Sequence, residues 1–253
     1  MTARLAGSTA LVTGSTRGLG RTIADWFGRE GARLVVTGED AAAVDRTVEE
    51  LGTAGHAALG VVADLSRVED THRLAEQLFE RVERLDILVN NAGMSRRAAF
   101  WEVSDADWDY QVNVNYRAPF ILCQHVARHM LATGRGGRIV NISTIGAHGC
   151  HKDAAVYDSA KGAVEVMTRN MAYELAQHGV RVNCVIPGAI PERPGSPWRA
   201  TDPRSSRGIP VGRAGRAEDI AAAVLFFCLP ETDFITGQSL LVDGGHHTYL
   251  PEG

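Results

Sequence analysis

Residues 9–20 read Thr-Ala-Leu-Val-Thr-Gly-Ser-Thr-Arg-Gly-Leu-Gly, and they join a short apolar run to a glycine-rich turn. The run Thr9–Thr13 has the composition of a buried β-strand. After the turn, Leu19, Ile23 and Phe27 recur with the period of an amphipathic helix. Such a turn lets the backbone approach a pyrophosphate, and the free amides of the helix N-terminus favour an anion. The stretch therefore predicts a phosphate-binding turn at the first strand of an α/β domain.

The same alternation of apolar runs and helical stretches continues along the chain. Seven strands separated by helices predict a parallel sheet covered by helices on both faces, which is the doubly wound or Rossmann-like arrangement. A length of 253 residues suits a single domain of this kind. One long helical region is predicted over 105–132 and a last helix over 217–229. The predicted strands are 9–13, 33–37, 59–63, 86–90, 138–142, 180–186 and 239–242.

The composition is that of a globular protein, since 45% of the residues are hydrophobic and 22% are charged. A net charge of −4 gives no electrostatic reason to expect a nucleic-acid partner. No apolar run reaches the roughly 18 residues of a membrane span, and the first strand begins within a few residues, so we expect neither a membrane partner nor a signal peptide. Four cysteines without metal-type pairing, Cys123, Cys150, Cys184 and Cys228, predict reduced, mostly buried thiols in a cytoplasmic protein.

Tyr157 and Lys161 lie four residues apart at the start of a predicted amphipathic helix. Residues at this spacing lie one above the other on a helix face. A phenol titrates at about pH 10 in water, and a cation held close favours the phenolate and so lowers the pKa of the phenol. The pair is therefore a candidate proton-transfer device, although Tyr/Lys pairs at this spacing are also common on exposed helix faces.

Six motifs together resemble the short-chain dehydrogenase/reductase family in their order and spacing. They are Thr13–Gly20, Asn90–Gly93, Gly137–Thr144, Tyr157–Lys161, Pro187–Gly188 and Val242–Gly245. The resemblance implies an NAD(P)-dependent oxidoreductase that transfers a hydride between the nicotinamide and a carbonyl or secondary-alcohol substrate, a small molecule. The alternatives are a non-catalytic dinucleotide-binding sensor on the same fold, and an epimerase or dehydratase of the longer extended relatives.

The resemblance places the cofactor along the ends of the predicted strands. The glycine-rich turn would hold the pyrophosphate, Asp64 would contact the adenine, and the Pro187 segment would hold the nicotinamide carboxamide. Asp64 is also a plausible helix N-cap. The expected cofactor contacts are Gly14, Ser15, Arg17, Gly18, Leu19, Gly20, Glu39, Asp64, Leu65, Asn91, Ala92, Gly93, Tyr157, Lys161, Pro187, Gly188 and Ile190.

The resemblance also assigns the proton transfer. Tyr157 would give or take the proton at the substrate oxygen, while Lys161 would lower the pKa of the phenol and bind the nicotinamide ribose. Asn115 would hold a water that relays protons to the lysine, with Asn113 as the competing position.

A hydroxyl that polarises the carbonyl lies about thirteen residues before the tyrosine in the family. That spacing points to Thr144, with Ser143 as the alternative. A shift of one residue along a strand turns a side chain to the opposite face, so only one of the two can serve.

Cofactor choice is expected to depend on the end of the second strand. By the family pattern, Gly38 fills the place of the usual NAD-selecting Asp, and Glu39 fills the place where many NADP-selecting members carry Arg. A carboxylate accepts from ribose hydroxyls but repels a 2′-phosphate. Arg17 occurs in the family with either cofactor. We therefore expect NAD(H) to be favoured, with NADP(H) possible.

Residues 189–212 contain five prolines, which predicts a loop; in the family this region covers the substrate. Its arginines suggest an anionic substrate. They are Arg193, Arg199, Arg204 and Arg207.

The resemblance implies a homo-oligomer, a tetramer or dimer. The apolar stretches Leu225–Phe227 and Leu240–Val242 would support it, unless they fill the core. His148, His151, His246 and His247 have no metal-ligand spacing, so no metal site is expected.

Overall fold

A computed structural model describes residues 3–191 and 206–248. The strands in these ranges form one seven-stranded parallel sheet of order β3-β2-β1-β4-β5-β6-β7, which confirms the predicted Rossmann-like fold. They are β1 (Thr9–Val12), β2 (Arg33–Gly38), β3 (Ala58–Val62), β4 (Ile87–Asn90), β5 (Gly137–Ile142), β6 (Val180–Pro187) and β7 (Ser239–Val242).

Helices cover both faces of the sheet because successive strand residues point to opposite sides. Ala10 and Val12 of β1 belong to one buried cluster, whereas Leu11 belongs to the other. The first cluster is covered by α1 (Gly18–Arg29), α2 (Ala41–Thr53) and α7 (Ala217–Cys228). The second is covered by α3 (Val68–Arg81), α5 (Ala118–Thr133) and α6 (Ala155–Leu175).

The helical region predicted over 105–132 is interrupted. Helix α4 (Asp105–Val112) continues into a π-helical segment, Asn113–Arg117, before α5 begins. A π turn inserts one extra residue into the helix and commonly occurs at functional sites. It changes the direction in which Asn115 points, a feature that apolar periodicity does not predict.

The order in which successive strands are added to the sheet reverses between β1 and β4, and the residues after these two parallel strands are hydrogen-bonded to each other. The buried Thr13 Oγ1 accepts hydrogen bonds from the backbone amides of Asn91 and Ala92 at 3.0 and 2.9 Å. Asn91 Nδ2 in turn donates to the Thr13 carbonyl at 2.8 Å. In doubly wound folds, ligands bind at such a topological switch point.

The structure corrects the interpretation of the apolar run Leu225–Phe227 and does not describe most of the predicted substrate loop. Leu225 and Phe227 are each only 3% exposed and fill the core, so Phe226 alone of that run faces outward. Most of the predicted substrate loop, with Arg193, Arg199 and Arg204, lies outside the described residues. Within the described ranges, no helix is long and apolar enough to cross a membrane.

Candidate active site

A cavity of about 790 Å³ opens where the carboxyl ends of the strands meet. It brings together nearly all the residues predicted to bind the cofactor or act in proton transfer. Those lining it are Gly14, Arg17, Gly18, Leu19, Gly20, Glu39, Asp64, Leu65, Asn91, Ala92, Gly93, Ser143, Thr144, Tyr157, Lys161, Pro187, Gly188 and Ile190.

Ser15 is the predicted cofactor contact that the structure does not bring to the cavity. Its side chain is fully buried, and Oγ accepts the Thr37 amide at 3.2 Å while the Ser15 amide donates to the Thr37 carbonyl. Ser15 therefore joins the turn to β2, and its contact with the cofactor stays a prediction. Thr16 lines the cavity in its place.

The glycine-rich turn has the shape that a pyrophosphate needs. Gly14 and Gly18 have φ angles of 63° and 55°, in the left-handed region that favours glycine. A side chain at Gly20 would overlap the Gly14 carbonyl oxygen and the side-chain nitrogen Nδ2 of Asn91. Helix α1 begins at Gly18, so its free amides and positive dipole end face the cavity. These residues fit a bound dinucleotide.

Lys161 is the buried cation of the site, with 2% of the residue exposed. Its Nζ donates to the Ile142 carbonyl at 2.9 Å and lies 5.9 Å from the centroid of the Tyr157 ring. Burial lowers the pKa of Lys161 to about 8, a shift that the nearby Cys184 thiol opposes. The phenol and the ammonium therefore meet on the first turns of α6, as their spacing predicts.

Asn115 lies behind the cavity and beside this lysine. Its Nδ2 donates to the carbonyls of Met94 and Gln111 at 2.7 and 2.8 Å, and its Oδ1 accepts the Met94 amide at 3.0 Å. A Cβ at Gly93 would lie 3.1 Å from Asn115 Oδ1 and 3.3 Å from Lys161 Nζ. Asn113 instead donates to the Ser66 carbonyl, away from the lysine.

The two hydroxyl candidates have different partners. Ser143 Oγ is 2.6 Å from Oε1 of Glu165 and 3.2 Å from the Lys161 carbonyl, and this buried serine turns toward α6. The other oxygen of Glu165 lies 2.9 Å from Nε2 of His148. Thr144 Oγ1 accepts the Gly146 amide at a long 3.4 Å, which leaves its proton available to a ligand.

Asp64 and Glu39 both line the cavity, at the positions where the adenosine of the cofactor is expected. Asp64 Oδ1 accepts from the amide and hydroxyl of Ser66 at 2.9 and 2.7 Å. The N-cap of α3 is Arg67, so the alternative that Asp64 caps that helix is wrong. Glu39 is exposed and directly follows β2, where predicted.

Several cavity residues were not predicted. Arg46 lines the cavity from α2, while Arg97, His151 and His246 line it from loops. Arg46 lies within α2 and the other three stand in loops, so no motif spacing ties them to the site. Among the described residues, no group of three or more His, Cys, Asp or Glu could hold a metal ion.

Comparisons with known proteins identify related enzymes. A family model described as "Enoyl-(Acyl carrier protein) reductase" matches residues 14–247. A (2S)-[(R)-hydroxy(phenyl)methyl]succinyl-CoA dehydrogenase subunit of Thauera aromatica is 40% identical, covering 95% of this chain and 96% of that protein. The gluconate 5-dehydrogenase of Gluconobacter oxydans is 36% identical, with 95% of each chain covered. The structure of a Burkholderia cenocepacia gluconate 5-dehydrogenase in complex with NADP and tartrate matches with a TM-score of 0.91, at 32% identity and 98% coverage of each chain.

The chain belongs to the short-chain dehydrogenase/reductase family. It is an NAD(P)-dependent oxidoreductase acting on CH–OH and C=O groups of small molecules. The comparisons give no support to the non-catalytic sensor considered above.

Burial of Lys161 should make the stability of the cofactor-free protein depend on pH between about 8 and 10.5. In that window the folded protein has released the lysine proton while the unfolded chain still binds it, so the free energy of unfolding rises with pH. The free-energy cost of burying the ammonium is therefore fully present below a pH of about 8 and has disappeared above about 10.5. We expect the stability of the wild type relative to Lys161→Met to be constant below this window and to rise by about 1 kcal/mol per pH unit within it. Urea denaturation of both proteins measures this, and a constant difference would contradict the buried ammonium.

Proposed function

We propose that this enzyme uses Tyr157 as the general acid or base, supported by Lys161, with Thr144 as the hydroxyl that polarises the substrate carbonyl. The observation that carries the proposal is the buried Lys161 ammonium beside the Tyr157 ring. A bound nicotinamide would supply or accept the hydride. Asn115, next to Lys161 across Gly93, would hold the water through which the lysine exchanges protons with solvent.

Thr144 is preferred to Ser143 because the Ser143 hydroxyl is already bound by Glu165. Thr144→Val keeps the shape and deletes the hydroxyl, so kcat/KM should fall by about 10²-fold, the usual effect of losing one donor to a developing oxyanion. Ser143→Ala is the matched control. It should cost mainly stability, because it leaves the buried Glu165 carboxylate without this donor. Steady-state kinetics and urea denaturation test both variants, and a larger kinetic loss in Ser143→Ala would move the role to that residue.

We also propose that NAD(H) is preferred over NADP(H). The exposed Glu39 carboxylate borders the cavity immediately after β2, and Asp40 borders it next. Two like charges about 4 Å apart repel by up to ~4 kcal/mol at a surface-like dielectric. Arg17 and Arg46 also line this end and would reduce that repulsion. NADP is present in two of the similar structures, so NADP(H) remains the competing cofactor.

Glu39→Arg should reverse the preference. We expect the wild type to favour NAD(H) by roughly 10-fold in kcat/KM, since about 1.4 kcal/mol corresponds to a decade, and the variant to favour NADP(H). Glu49→Arg is the control, because it makes the same charge change on the exposed face of α2 outside the cavity lining. A wild type that prefers NADPH, or equal effects of the two variants, would refute the role of Glu39.

For the substrate, we propose a small hydroxylated acid or its oxo counterpart. Arg97 and Arg207 line the cavity with exposed guanidinium groups that favour a carboxylate. Relatives named gluconate 5-dehydrogenase and 2-dehydro-3-deoxy-D-gluconate 5-dehydrogenase are consistent with this class.

Oxidation of gluconate and of sorbitol, its uncharged counterpart, tests the substrate proposal. We expect a higher kcat/KM for gluconate, and we expect Arg207→Gln to reduce that advantage by roughly 10-fold, the scale of one charge-assisted hydrogen bond. Arg29→Gln changes an exposed arginine at the end of α1, outside the cavity lining, and serves as the control. Equal rates on the two compounds would dismiss an anionic substrate.

We further propose a cytoplasmic homo-oligomer, a tetramer or dimer. Exposed apolar side chains near the C-terminus, Phe226, Phe234 and Leu240, give a second copy a surface to cover. Light scattering at micromolar concentration should give at least twice the chain mass. A monomeric mass would contradict the proposal.

A further inference from the structure

His151 and Asp158 form a hydrogen-bonded pair beside the catalytic tyrosine. Asp158 Oδ1 lies 2.9 Å from His151 Nδ1, and Asp158 Oδ2 accepts the His151 backbone amide at 2.8 Å. Asp158 follows Tyr157 directly in the first turn of α6. One carboxylate thus holds both the main chain and the ring of His151.

Neighbouring residues pack closely against this pair. Asp158 is buried, with 8% of the residue exposed. Gly146, two residues after Thr144, packs directly against both partners, and a Cβ there would overlap Asp158 Oδ1 and His151 Nδ1. A side chain at position 146 would therefore displace the pair. This close fit fixes the position of the imidazole relative to Thr144 and Tyr157.

The pairing also fixes which nitrogen of His151 is available. An ionised carboxylate only accepts hydrogen bonds, so Nδ1 must carry the proton that it donates to Asp158. In the neutral ring, Nε2 is then an acceptor. The ring borders the cavity that contains Tyr157 and Thr144, and 34% of its side chain is exposed. His151 therefore offers an oriented acceptor on the wall of the cavity that Tyr157 and Thr144 also line.

We propose that His151 binds a second hydroxyl group of the substrate, distinct from the one that reacts, and that Asp158 is its positioning residue. An acceptor selects a group that can donate, so a hydroxyl is favoured over an ether or a hydrogen atom at that position. This inference rests on the proposed function, because it presumes that the substrate oxygen binds between Tyr157 and Thr144. It adds a specificity contact that the proton-transfer residues do not provide.

The test compares three neutral secondary alcohols in the presence of NAD⁺: 2,3-butanediol, 3-methoxy-2-butanol and 2-butanol. We expect the wild type to prefer the diol to 2-butanol in kcat/KM. His151→Leu should reduce this ratio by roughly 10-fold or more, since leaving a polar group without its partner in a closed site costs at least a decade in binding. His151→Gln, which keeps an acceptor, should recover part of the ratio. His178→Leu changes an exposed histidine outside the cavity lining and should give the wild-type ratio.

Asp158→Asn distinguishes a positioning role of Asp158 from a merely structural one, because only the positioning role predicts a changed substrate preference. The carboxamide oxygen must face the His151 backbone amide, so the NH₂ group faces Nδ1 and donates to it. The ring proton then moves to Nε2, which becomes a donor. We expect Asp158→Asn to raise the rate with 3-methoxy-2-butanol relative to the diol, because an ether can accept but cannot donate.

Measurements of binding distinguish a failure of this inference from a failure of the proposed function. If the wild type oxidises none of the three neutral alcohols, the proposed requirement for an acidic substrate explains the failure, and the affinities of the alcohols for the enzyme–NADH complex, measured by NADH fluorescence, then decide the role of His151. Tighter binding of the diol that His151→Leu abolishes supports the contact. A wild type without preference for the diol, or an equal loss with the diol and 2-butanol in His151→Leu, overturns it.

Discussion

The burial of one ammonium group governs the arrangement of this site. Lys161 Nζ donates to the last carbonyl of β5 and lies against Gly93, where a side chain would crowd both the lysine and Asn115. Burying a cation is costly unless polar groups surround it. The glycine at position 93, the π turn that aims Asn115, and the packing of α6 on β5 all serve that requirement. These features hold the charge next to the Tyr157 ring, where a cation lowers the pKa of the phenol.

Helix α6 carries more of the site than its Tyr/Lys pair. Asp158, Lys161 and Glu165 are spaced by three and four residues, so they lie on one helix face. All three are buried, and each carboxylate is bound by a histidine of the loop that follows β5. Glu165 also binds the hydroxyl of Ser143 and turns it toward α6. Of the two hydroxyls that follow β5, it is therefore that of Thr144 that can bind a ligand.

The fold and the glycine-rich turn could be predicted because they depend on local patterns, and most of the other candidate site residues were implied by the family resemblance. Apolar periodicity gave the strands and helices, and the glycine spacing gave the turn at Gly14–Gly20. The features that could not be predicted depend on contacts between distant residues. Ser15 and Thr16 are both small hydroxyl residues, and only the pairing of Ser15 with Thr37 decides which one faces the cavity. The His151–Asp158 pair likewise needs Gly146 to leave space, a relation that no periodicity encodes.

The role of Tyr157 is tested most directly by the single-turnover rate of hydride transfer in Tyr157→Phe, on the substrate that the wild type uses best. We expect this rate to fall by roughly 10²–10⁴-fold, the usual contribution of a positioned general acid or base. The affinity for the nicotinamide cofactor, measured by fluorescence on the same protein, should be unchanged, because Lys161 and the glycine turn are untouched. A variant that keeps more than about a tenth of the wild-type rate, well above that range, would contradict the role of Tyr157 and with it the purpose of the buried lysine.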